Sequence, residues 1–229
     1  MTMSPNFRKF VLTAHVTLSV GWLGAVVAYL ALAIVGLTTS DAEMARASYL
    51  SMETIGWFVI VPFSVATLLA GLVESLGTPW GLFRHWWVLL KFLLTTGATI
   101  VLLRHMPIVS RMSGLAREMT MSAIDYRTLR TQLVVHAAGG LLVLLAATVL
   151  SVYKPWGMTP YGLRRRYDAR SVSLADLPRM AVPKSEVSSP SAAETPRGMS
   201  VVGIHAIHAV ALALLFLVVH VSQGGMQGH

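Results

Sequence analysis

Apolar residues in this chain come in long uninterrupted blocks rather than with the spacing of a surface helix. Four stretches carry no formal charge and are about as long as a hydrocarbon core requires, roughly 20 residues. They are Phe10–Leu37, Thr54–Val73, Thr131–Tyr153 and Met199–Val221. A fifth, Trp86–Leu103, holds only Lys91, close to one end. Backbone in lipid must satisfy its own hydrogen bonds, so each block predicts a helix. The expected fold is an all-α, polytopic transmembrane helix bundle: a four-helix core plus a fifth C-terminal transmembrane helix.

The predicted spans are 9–37, 52–75, 86–105, 131–153 and 200–222, the first four forming a core over residues 1–160. Polar connections at 38–51 and 106–130 separate them, the latter long enough for a short surface helix. A tight turn, Gly77-Thr-Pro-Trp-Gly81, joins spans two and three, because Gly and Pro end helices cleanly. Residues 161–198 predict a basic, Ser/Pro-rich cytoplasmic linker, and 199–229 the fifth helix with a short tail. Between Lys154 and Gly198, eight Lys/Arg stand against four Asp/Glu. The stretch Ser185–Pro196 is too poor in apolar residues to fold by itself.

Composition agrees. The 229 residues are 55% hydrophobic and 12% charged, too apolar for an ordinary soluble domain. Arg8 and Lys9 precede the first block, but that block is about twice a signal-peptide core of roughly 7–15 residues, and it reads as a retained span. The net charge of +8 sits beside apolar spans, where Lys and Arg set topology and meet anionic headgroups. No nucleic-acid motif accompanies it, so the expected partner is the lipid bilayer and not nucleic acid. Arg8, Lys9, Arg84 and the basic linker fall on one side. This predicts a multi-pass protein of a bacterial inner (cytoplasmic) membrane, with its N-terminus cytoplasmic and C-terminus periplasmic or extracellular. Arg111, Arg117, Arg127 and Arg130 on the other side run against the bias. Trp80, Trp86, Trp87, Tyr153, Trp156 and Tyr161 read as interface anchors.

Absence of cysteine excludes disulfides, thiolate metal sites and thioether haem attachment. No phosphate-binding glycine loop, Ser/His/Asp grouping or paired-carboxylate site stands out. Histidine does. Inside a bilayer it is costly and marks function by default, and five lie within predicted spans: His15, His136, His205, His208 and His220. From a helical rise of about 1.5 Å per residue, His15, His205 and His208 share a layer roughly 8–12 Å from the cytoplasmic side. His136 and His220 belong to the opposite layer. Facing helices with imidazoles at equal depth are what b-type haem requires. An inner site would pair His15 with His205 or His208, an outer one His136 with His220 or His105. Gly21, Gly24, Gly139, Gly140 and Gly203 would let a flat macrocycle approach the backbone, or else allow close helix packing.

The cofactor expectation is therefore haem b, with electron transfer to or from quinone or a redox protein partner. Copper is the alternative, through His205, His208, Met199, Met226 and His229. The rival reading is a non-redox transport or assembly component whose histidines bond between helices. His85 and His105 sit at opposite ends of the third span, as interfacial residues. Glu74 and Lys91 form either a neutralising ion pair or part of a proton path. Homo- or hetero-oligomers are compatible with all of this.

Three stretches carry a family resemblance: Thr13-Ala-His-Val-Thr-Leu-Ser-Val-Gly-Trp-Leu-Gly24; Leu76-Gly-Thr-Pro-Trp-Gly81 followed by Arg84-His85-Trp86; and Leu150-Ser-Val-Tyr-Lys-Pro-Trp-Gly157. Over residues 8–165 the chain resembles the bacterial family of predicted integral membrane proteins catalogued as domain of unknown function 2269. That resemblance implies a small bacterial membrane protein. In architecture alone it is also similar to membrane domains of the cytochrome b and copper-resistance type.

Overall fold

A computed structural model describes residues 3–77, 81–118, 127–153 and 157–175. The predicted fifth span, with His205, His208 and His220, lies outside these, as do Gly203, Met199, Met226 and His229. Among the described residues all regular structure is helical. Helix α1 spans Pro5–Thr38, α2 Ala42–Ile55, α3 Val61–Gly77, α4 Trp86–Arg117, α5 Arg127–Tyr153 and α6 Pro160–Ala175. A π turn, Gly56–Ile60, fuses α2 to α3 in one rod. Four helical rods are thus long and apolar enough to cross a membrane: α1, α2–α3, α4 and α5.

The π turn has a local cause. Pro62 has no N–H to give the carbonyl four residues before it, and its ring crowds that carbonyl. The helix widens instead, and the Val61 N–H bonds back to Gly56. A π turn inserts one residue and so rotates the faces before and after it. Pro107 lies inside α4, two residues past His105, and removes a ladder bond there in the same way.

In the bundle, α1 packs against α2–α3 and α5, while α4 packs against the same two rods from the other side. Consequently α1 and α4 face one another across the interior. The main core runs from Trp22, Tyr29 and Ala33 through Tyr49 and Met52 to Met106, Met112 and Leu133. A smaller cluster joins Leu94 to Val143, Ala146 and Leu150. Close approach at the α1–α2 corner needs Gly36, where a Cβ would stand 2.7 Å from the Tyr49 ring. Tyr49 fills that notch and donates its hydroxyl to Gly36 O at 2.5 Å.

The rods outrun the bilayer. Thirty-four residues in α1 make about 51 Å, against a hydrocarbon core of about 30 Å. Two segments expected as connections are helical extensions of their spans. Most of 38–51 belongs to α2, started by Asp41, whose carboxylate accepts from Glu43 N and Met44 N, the usual aspartate N-cap. Residues 106–117 continue α4 rather than forming a separate surface helix. Glu53 ties these extensions together: its Oε2 accepts from Ser113 Oγ at 2.6 Å and Arg117 Nη2 at 2.7 Å.

At the opposite, basic end, the first part of the expected linker is ordered. Thr159 N donates to Arg84 O at 2.8 Å and Thr159 Oγ1 to Phe83 O at 2.6 Å. Residues Pro160–Ala175 then form α6. Gly162 permits this seat, since a Cβ there would lie 2.5 Å from Arg84 O.

Candidate functional site: two interior cavities with histidine walls

Of the histidines named from the sequence, three are brought into the interior or its wall: His15, His105 and His136. His15 leaves α1 toward α3 and α4 and is 6% exposed. Gly71 makes room for it; a Cβ there would stand 3.0 Å from His15 Cε1. Across the bundle, Lys91 of α4 brings its Nζ to 3.5 Å from His15 Nε2. Both line a cavity of about 100 Å³, together with Thr67, Glu74, Ser75, Trp87 and Thr95 among others. Glu74 and Lys91 both reach this cavity without forming a contact ion pair. The hydroxyl of Thr67 is buried and has no hydrogen-bond partner.

Farther along the bundle, the His105 and His136 rings stack with centroids 3.9 Å apart and planes 14° from parallel. Nδ1 of His136 lies 2.6 Å from Gln132 O. A carbonyl only accepts, so Nδ1 carries a proton, and Nε2 is the basic nitrogen of the neutral ring. The pair borders a second cavity, of about 70 Å³, walled by Trp22, Val26, Tyr29, Ile60, Ala98 and Leu144 among others. Its wall is almost wholly apolar apart from the two imidazoles and Tyr29. Tyr29 is 5% exposed, and its hydroxyl has no hydrogen-bond partner.

Two depths of histidine are therefore present, His15 in one layer and His105 with His136 in the other. From Lys91 to His105 is 14 residues of α4, about 21 Å. The stacked His105 and His136 imidazoles leave no gap for a macrocycle between them. Any haem ligated by His15 or His136 would draw its second ligand from His205, His208 or His220, outside the described residues. Bare metal fares similarly: among the described residues no three His, Cys, Asp or Glu side chains come together as a ligand set. The glycines divide by role. Gly21 abuts the Phe63 ring, while Gly24 and Gly140 meet nothing that a Cβ would touch. His85 caps α4, with its ring 6.3 Å from Trp87.

Sequence reasoning passed over Tyr29, Thr67 and Thr99. Tyr29 carried a signal, since a tyrosine in mid-span is not an interface anchor. The threonines did too: Lys91, Thr95 and Thr99 recur at i, i+4, i+8 and so lie on one face of α4. Comparison with known proteins leaves these features to be judged on their own geometry, because no protein-family model, no curated protein and no solved structure matches the chain.

Proposed function

We propose that the chain is a membrane transport component, and that its cavity around His15 and Lys91 takes up protons from the basic end of the bundle. That end is the one the charge bias makes cytoplasmic. One observation carries the reading: a lysine inside a membrane-crossing helix turns inward, toward a histidine and a cavity. Lys91 stands five residues into α4, about 7.5 Å along the helix, and ionisable residues that face a bundle interior mark ion and proton pathways. Glu74 does not cancel it by contact. The ammonium and the imidazole, 3.5 Å apart, are two exchangeable groups near enough to hold one proton between them.

Electron transfer through b-type haem is the competing reading, and the stacked His105–His136 pair weighs against a haem held between those two rings. Two measurements test the proposal. Purified from cells grown with ample haem, the protein should show no Soret band before or after dithionite; a band would return the haem reading to first place. In nitrogen-15 histidine spectra, the His15 ring should change protonation with bulk pH, and Lys91→Met should displace the midpoint. A His15 ring silent throughout would overturn proton uptake.

A further inference from the structure

The two cavities lie end to end along the same helix faces. On α4, the inner cavity is lined by Val88, Lys91 and Thr95 and the outer one by Ala98, Leu102 and His105. At 100° per residue these six positions fall within an arc of about 100°, which widens to about 180°, one side of the helix, when Trp87, Phe92 and Val101 of the same linings are included. On α1, His15 of the inner cavity and Trp22, Val26 and Tyr29 of the outer one repeat the pattern. The interruption between the cavities is three residues on α4 (Thr95 to Ala98), about 4.5 Å, and seven on α1 (His15 to Trp22) and on the α2–α3 rod (Ile60 to Thr67), about 10.5 Å.

Ser64 falls between Ile60 and Thr67, and Thr99, one turn beyond Thr95, turns its hydroxyl back toward the interruption. Thr99 is 5% exposed and Ser64 fully buried. Each hydroxyl donates to its own helix, Thr99 to Thr95 O at 2.9 Å and Ser64 to Val61 O at 2.8 Å. Both oxygens keep lone pairs for a further donor. A cavity holds water where it is roomy and offers two to four polar partners. The inner one offers Thr67, Lys91, His15 and Glu74, and the outer one offers Tyr29, His105 and His136. The unpartnered Tyr29 and Thr67 hydroxyls are buried groups whose cost water would relieve.

We propose that these cavities are two halves of one proton path through the four-helix core, closed in this conformation at the level of Thr99 and Ser64, with Tyr29 and the His105–His136 pair on its far side. The proposal rests on proton uptake at His15 and Lys91 and extends it across the membrane. Ionisable groups on the path come from four elements: His15 from α1, Glu74 from α3, Lys91 and His105 from α4, and His136 from α5.

The test uses the full chain in liposomes with an entrapped pH-sensitive dye and a potassium diffusion potential. Thr99→Val keeps the volume of the side chain but removes the hydroxyl. It should slow proton entry roughly ten-fold or more, since an apolar constriction loses its water. Thr99→Ser should keep the wild-type rate, and Tyr29→Phe should slow it with the protein's helicity and Tm in detergent unchanged. A Thr99→Val rate equal to wild type would overturn the path. So would a wild-type rate no faster than protein-free liposomes while His15 still titrates with bulk pH, which leaves uptake standing. Absence of both signals would remove uptake as well.

Discussion

Glu53 gives a sharp test of how the helical extensions are held, because its two partners differ in environment. Oε2 accepts from Ser113, which is wholly buried, and from Arg117, whose side chain is 65% exposed. A buried hydrogen bond to a charged group contributes about 1.5–3 kcal/mol. An exposed ion pair contributes about 0–1 kcal/mol and weakens with salt. The shorter reach of serine also costs less side-chain entropy than ordering an arginine. Ser113→Ala should therefore destabilise more than Arg117→Met, the reverse of what formal charge suggests. For a chain of this size about 1 kcal/mol shifts Tm by roughly 2–4 °C. Ser113→Ala should then lower Tm in detergent by about 3 °C or more, and Arg117→Met by no more than about 4 °C, shrinking at high salt. The assay is thermal unfolding followed by circular dichroism at low and high salt, with Glu53→Gln completing a double-mutant cycle. If Arg117→Met proves the costlier change at high salt, the packing assigned to this end of the bundle is wrong.

Other expectations follow from single contacts. Tyr49→Phe removes the bond to Gly36 O and should cost about 0.5–1.5 kcal/mol, read as the Tm shift with the fold retained. Gly162→Ala places a methyl against Arg84 O and should free α6 from the Gly81–His85 turn, seen as faster proteolysis near Arg164–Arg166 without loss of the bundle.

The spans were legible because lipid leaves a chain few choices. An apolar block of bilayer length with at most one charge near its end favours a helix, and four such rods stand where Phe10–Leu37, Thr54–Val73, Trp86–Leu103 and Thr131–Tyr153 placed them. Their ends were not legible. Charge at Asp41, Glu43, Arg46, Arg111 and Arg117 reads as a loop when depth is the only criterion, yet a helix leaving the bilayer keeps its hydrogen bonds and can extend into water. The N-cap aspartate and the Tyr49, Met52 and Met112 core positions hold these extensions as helix.

The candidate site was half legible. Depth counting placed His15 apart from His105 and His136, and that separation stands. Depth says nothing about azimuth across helices, however, so it could not foresee that His105 and His136 stack on each other or that Lys91 turns toward His15. Tyr29 and Thr67 matter because they are buried without partners, a property of packing and not of sequence spacing.

Proton movement driven by an imposed potential tests the central claim most directly, comparing wild type with Lys91→Met in liposomes of equal protein content. Wild type should acidify or alkalinise the lumen faster than protein-free liposomes, in the direction set by the potential, and Lys91→Met should fall to the protein-free rate. A Lys91→Met protein that matches an active wild type would contradict it, as would a wild type indistinguishable from lipid alone whose His15 ring is also silent to bulk pH.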